Sequence, residues 1–204
     1  MSSLTSSHSG AVKYTGDALA ALLFAITCFQ IWFCFGDVSW YDENGLFELS
    51  QDAFLAAGAV LFFADAVLAV DRVSRLALLA LTLFCLSILF REIDVRGTNL
   101  DPYLNYAFQH RWHYVFLGCL WIAVVALSAR HFRLSCLYML RLLAGLTGAL
   151  LLAGIFFYVM GDFAEKHFFT GNVDVSEMVE ESMEQLGTFF LCLSAWATCR
   201  RHWQ

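Results

Sequence analysis

The sequence predicts an all-α, polytopic membrane protein with six transmembrane helices in one bundle. Three observations carry this prediction. Of the 204 residues, 60% are hydrophobic and 15% are charged, against roughly 45–50% and about 25% in an ordinary soluble domain. The apolar residues fall into six runs, near the length of about 20 residues that a span requires. The single proline argues against a linker-rich or sandwich architecture.

Residues 1–15 are rich in Ser and Thr and read as a disordered tail. They lack the basic region and small-residue cleavage site of a secretory signal. Residues 16–204 then form one membrane domain, with helices expected near 17–36, 47–70, 75–91, 112–130, 137–160 and 180–199. Asp65 interrupts the second helix. The fifth carries Arg141 near its start, and Gly145, Gly148 and Gly154 along its length. Small residues at such spacing allow close helix packing.

Lysines and arginines in short loops set orientation. One side holds Lys13, Arg72, Arg75, Arg130, Arg133, Arg200 and Arg201, with Arg141 just inside. The other holds Arg91, Arg96, Arg111 and Lys166. This asymmetry predicts both termini in the cytoplasm. The acids are more lopsided still. Asp17, Asp65 and Asp71 lie on or near the cytoplasmic side, and all the others lie on the opposite side. Acids contribute little to topology, so this skew marks the outer face as special. The longer connections also lie there, and they carry Trp40, Tyr41, Tyr103 and Tyr106 of an expected interfacial aromatic belt. Asp101-Pro102 reads as the cap of a short helix over 102–110. Asp174 with Glu177 reads as a capping box for the last helix.

The stretch that opens the last helix is the most informative. Glu177, Glu180, Glu181 and Glu184 share one face of a helix at i, i+3, i+4 and i+7. Like charges at those spacings repel. They stand at the mouth of an apolar run, where a carboxylate needs a proton, a partner or a cation. The second helix brings Glu43, Glu48, Gln51 and Asp52 to the same side. The third ends in Arg91-Glu92-Ile93-Asp94, and the fourth begins with His110 and His113. Carboxylates with two imidazoles suit Zn, Mn or Fe(II), and carboxylates alone suit Mg or Ca. Glu92, His110, His113 and Glu181 are the candidate ligands, and Glu48 and Glu184 the candidate catalytic carboxylates. No organic cofactor is indicated. The plainer alternative is an ion-pair network in which Arg91 neutralises Glu92 or another glutamate.

Asp65 and Arg141 lie about 9 Å and about 6 Å inside their helices at 1.5 Å per residue. Opposite charges at similar depth are expected to form a structural ion pair. Otherwise Arg141 meets anionic lipid, and Asp65 is protonated or bonded to Thr147 or Ser74. The net charge of −6 excludes the basic footprint of a nucleic-acid binder. The seven cysteines show no CxxC spacing and read as buried small hydrophobes.

In its Glu43–Glu48, Arg91–Asp94 and Glu180–Glu184 turns, the chain resembles small multi-span proteins of the bacterial inner membrane. Their helices start on acidic turns, and one helix ends in an Arg-Glu-x-Asp-like motif. The resemblance implies a multi-span inner-membrane protein and carries no activity with it. From the residues, the first expectation is a divalent-metal-dependent enzyme acting at the outer face on a lipid or lipid-linked substrate. The alternatives are a proton- or cation-coupled transporter or binding protein, and a membrane assembly subunit whose acids grip a basic protein partner.

Overall fold

The computed structural model describes residues 20–32, 46–92, 112–166 and 173–200. The tail, Glu43, the short helix expected over 102–110, and His110 lie outside the described residues. Within them the chain is all-helical: α1 (Ala20–Trp32), α2 (Leu46–Leu68), α3 (Arg72–Glu92), α4 (Trp112–Ala129), α5 (Phe132–Leu143), α6 (Leu146–Glu165) and α7 (Val173–Cys199). Four stretches, Leu46–Leu68, Arg72–Glu92, Trp112–Ala129 and Leu146–Ala164, are long and apolar enough to cross a membrane. α7 is the longest helix, but its first half is too acidic for that criterion. Its start at Val173 lies well before the predicted 180.

α7 is the axis of the assembly. It packs along α6 on one side and α2 on the other, and α2 packs on α3. The α6–α7 contact is close because glycines face each other there. A Cβ on Gly187 would stand 2.7 Å from Tyr158 N, and one on Gly154 would stand 2.9 Å from Gly187 O. Only hydrogen at both positions lets the two backbones touch. At the end of this hairpin Ser176 Oγ donates to Ala164 O, tying the first turn of α7 to the last turn of α6. The core is built from Leu55, Ala59 and Phe62 of α2, Leu78, Leu81 and Cys85 of α3, Leu151 and Tyr158 of α6, and Leu191 and Ala195 of α7. α4 sits outside this core, and Leu117 is its one buried residue.

The fifth predicted helix, 137–160, is two helices. α5 ends at Leu143 and α6 begins at Leu146, with Ala144 and Gly145 between them. Gly145 is extended, with φ −102° and ψ 179°, and its N–H donates to Leu142 O at 3.2 Å. The break folds the end of α5 back on the first turn of α6. A Cβ on Gly148 would meet Leu143 Cα at 2.2 Å, so glycine is required there. Hydropathy does not register the break, because the apolar run continues through it.

The chain reverses between α2 and α3 on a short capped turn. Asp71 Oδ1 accepts from Ser74 N at 2.8 Å, and the Ser74 hydroxyl also donates to the Asp71 carboxylate. Those bonds hold the Asp71 carboxyl below its ordinary range. Arg75 Nη2 donates to Ala69 O at 2.8 Å across the same turn.

Candidate functional site: a carboxylate cluster around Arg91

The end of α3, the end of α6 and the first half of α7 meet at one end of the molecule, and Arg91 stands between them. Its Nε lies 3.2 Å from Glu92 Oε1. Nη1 lies 3.9 Å from Asp162 Oδ1 on α6, and Nη2 lies 3.9 Å from Glu184 Oε1 on α7. The guanidinium carbon rests 5.5 Å from the Tyr158 ring centroid. Tyr158 OH donates to Glu92 Oε1. Asp162 is also paired with Lys166 one turn on. One cation therefore faces carboxylates from three helices.

Glu184 occupies a notch made by glycine. A Cβ on Gly161 of α6 would stand 2.5 Å from Glu184 Cγ. The residue is 4% exposed, and its Oε1 accepts no hydrogen bond, so the loose ion pair with Arg91 is its charge partner on that side. Glu181, one helical step away, accepts from Gln51 Nε2 at 2.7 Å, and the same amide reaches Glu181 O at 3.3 Å. Glu48 and Glu92 are within electrostatic reach of both Asp52 and Glu181. Asp52 Oδ1 is buried without a hydrogen bond. Glu48, Asp52, Glu92, Glu180, Glu181 and Glu184 thus form one continuous acidic cluster across α2, α3 and α7. Glu177 lies apart from it on the exposed side of α7.

Next to the acids is a neutral polar layer. The Ser50 hydroxyl lies 3.0 Å from Gln185 Oε1 and 2.9 Å from Phe47 O. It has one proton and donates to one of them at a time. Gln30 Nε2 donates to Ser50 Oγ at 3.2 Å, and Gln185 Nε2 donates to Gln30 Oε1 at 3.5 Å. α1, α2 and α7 are stitched together by these side chains. Beyond this layer the middle of the α2–α7 seam is mostly apolar, with Asp65 of α2 buried beside Cys199 of α7 toward its far end. Leu55, Phe62 and Leu191 are buried, and Gly58 brings α2 against the backbone of Cys192.

Among the predicted site residues, Glu48, Glu92, Glu181 and Glu184 come together. His113 lies at the start of α4, its ring 4.0 Å from that of Tyr114 and 6.0 Å from that of Phe90. Among the described residues, no group of three or more His, Cys, Asp or Glu is arranged to hold a metal ion. The carboxylates that would serve turn instead to Arg91, Tyr158 and Gln51. Asp65 is fully buried in α2 beside Cys199 of α7. Arg141 is exposed on α5, which packs against α3, α4 and α6. An ion pair between them stays a proposal for the double-mutant comparison below.

Tyr158, Asp162 and Gly161 were not among the sequence candidates. A signal for them exists, because Gly154, Tyr158, Gly161 and Asp162 recur at i, i+4, i+7 and i+8, one face of α6. Comparison with protein-family models, curated proteins and solved structures finds no match, so the resemblance to small multi-span inner-membrane proteins rests on its short motifs.

Proposed function

We propose that the chain is an integral protein of an inner (plasma) membrane, crossing it six times with the run 17–36 that contains α1 and with α2, α3, α4, α6 and α7. Both termini are cytoplasmic and the Arg91 cluster faces outward. In this reading the cluster is a one-sided cation site that serves an enzyme acting on a lipid or lipid-linked substrate. One observation carries it: Arg91 is shared by Glu92, Asp162 and Glu184, further carboxylates of α2 and α7 lie within electrostatic reach of Glu92, and the seam below them closes with Leu55, Phe62 and Leu191. The excess negative charge needs a cation or protons. The apolar closure favours work at one face over passage through the bundle.

A divalent metal (Zn, Mn, Fe, Mg or Ca) would supply the missing charge and activate water or polarise a phosphoryl oxygen. Glu181 and Glu92 would hold it, with Glu48 or Glu184 as the proton acceptor. His113, whose ring lies 6.0 Å from that of Phe90 on α3, is the remaining candidate ligand among the described residues. A proton- or cation-coupled transporter would require the apolar zone to open. An assembly subunit would present the same acids to a basic partner.

Manganese titration of the purified protein in lipid nanodiscs, read by electron paramagnetic resonance, tests the site. The expected result is one saturable site, weakened about tenfold or more by Glu181→Gln or Glu92→Gln. Absence of saturable binding, or wild-type binding by both variants, overturns the cation site. Manganese flux into proteoliposomes would instead establish transport.

A further inference from the structure

The other end of the molecule carries a helix whose geometry has no use in the cation site. α5 has 12 residues, a length of about 18 Å at 1.5 Å per residue, whereas the hydrocarbon core is about 30 Å thick. It cannot span. It links the end of α4 to the start of α6, opposite the end where Asp162 meets Arg91. It therefore lies at the bundle end shared with the Asp71 turn.

The α5 surface divides into three sectors at 100° per residue. Tyr138, Leu142 and Ser135 turn toward the core, where Leu142 is buried and Tyr138 packs on the main cluster. Phe132, Cys136 and Leu140 form an exposed apolar sector. Arg133 and Arg141 form the third sector together with Leu137, and Arg130 falls on the same side just before the helix. All four are exposed. No aspartate or glutamate occurs between Asp101 and Asp162, so no acid of α4, α5 or their connections competes for these arginines. From the neighbouring α3, Arg72 adds another exposed positive charge at this end.

An apolar sector beside a basic one, on a helix too short to span, is the pattern of a helix lying in the membrane interface. We propose that α5 is an interfacial helix that binds the headgroups of anionic phospholipids, with Arg130, Arg133 and Arg141 as the contacts and Phe132 and Leu140 in the acyl region. Charge complementarity selects the occupant: an arginine fork pairs with a phosphodiester, and anionic leaflets attract basic segments beside spans. This inference depends on the placement of the bundle ends and is independent of the cation site.

The test uses full-length protein in mild detergent, titrated with phosphatidylglycerol, with phosphatidylcholine as the neutral comparison. Binding is read by native mass spectrometry and by the lipid-induced rise in melting temperature. The expected result is preference for phosphatidylglycerol, weakened about fivefold for each of Arg130→Gln, Arg133→Gln and Arg141→Gln. Arg133→Lys keeps most of it, and Lys166→Gln at the opposite end leaves it unchanged. Equal binding of both lipids, or wild-type preference in the triple variant, overturns the proposal. So does complete competition by inorganic phosphate, which would indicate a soluble anion. The assignment of Arg141 is checked in lipid-free detergent. If Asp65→Asn and Arg141→Gln lose less stability together than the sum of their separate losses, Arg141 belongs to Asp65 and the headgroup contact at that residue is rejected. Additive losses keep it with the lipid.

Discussion

The two ends of the helix assembly treat charge in opposite ways. At the Arg91 end, charges cross between helices: Arg91 from α3 meets Asp162 of α6 and Glu184 of α7. At the Asp71 turn, charges are settled locally: Asp71 caps α3 through Ser74, and Arg75 reaches Ala69 O; of the acids toward that end, Asp65 alone is buried among the described residues. The difference lies in backbone spacing. Gly154, Gly161 and Gly187 draw α6 and α7 close enough for a glutamate to be held inside. The short turn at 69–75 has no glycine, and its charged residues Asp71, Arg72 and Arg75 are exposed. Buried charge that links helices depends on exact packing, whereas charge satisfied locally tolerates change.

The sharpest way to break this contrast is to separate α6 from α7. Gly187→Leu places a side chain where Tyr158 N would stand 2.7 Å from its Cβ. Backbone cannot yield as a flexible side chain can, so a loss of about 3 kcal/mol is expected, at the upper end of overpacking effects. Thermal unfolding in detergent checks it, and a melting temperature within error of wild type would refute the close contact. The same change at Gly118, which has open space around it, should have little effect on packing.

Charge removal should produce a smaller loss. Arg91→Gln leaves Glu92 and Glu184 without their shared cation. Removing one partner of a fully buried pair costs about 3–5 kcal/mol. The Arg91 side chain is 45% exposed, so about 1–2 kcal/mol is expected after solvent screening. Adding Glu184→Gln to Arg91→Gln should recover part of the loss, because the uncompensated carboxylate is gone. A double variant that is worse than the sum of the single ones would show that Glu184 is held by something other than Arg91.

At the opposite end, Asp71→Ala should lose about 0.5–1 kcal/mol, the lower range for a helix cap. Its pH dependence has a definite sign. The folded carboxyl titrates below its ordinary value of 3.8. Its stabilisation is complete above that value and is lost as pH falls through the lower folded one. Wild type and Asp71→Ala should therefore converge in stability in strong acid. A constant difference across that range would remove the capping role. The smallest effect is expected for Lys166→Gln, which removes an exposed i, i+4 pair with Asp162. About 0.3–0.5 kcal/mol is the scale of such pairs, and salt should abolish the difference.

Much of the fold could be read from hydropathy, because spans are dictated by length and apolarity. α2, α3 and α4 fall within a few residues of their predicted limits. The break at Ala144–Gly145 was not legible. The leucines on both sides keep the run apolar, and Gly145 and Gly148 read equally well as packing residues. In the site, Glu92, Glu181 and Glu184 stood out because each abuts an apolar run. Arg91, which Glu92 and Glu184 share, was visible as a neutralising charge for one glutamate; its reach to Asp162 depends on where α6 ends. Tyr158 was hidden because a tyrosine inside an apolar helix resembles ordinary core. Which of its neighbours its hydroxyl meets is fixed by tertiary placement.

α4 buries Leu117 alone, and Trp121 Nε1 donates to Ser87 Oγ of α3 at 3.1 Å. The other residues of α4 are exposed or half-buried. With so few buried contacts, this helix opens at lower free energy than the core helices. Nitroxide labels at the exposed Val115, Ile122 or Val125 should be more mobile than a label at the buried Leu191 on α7. Losing the Trp121 anchor, as in Trp121→Phe, should loosen α4 before any other span.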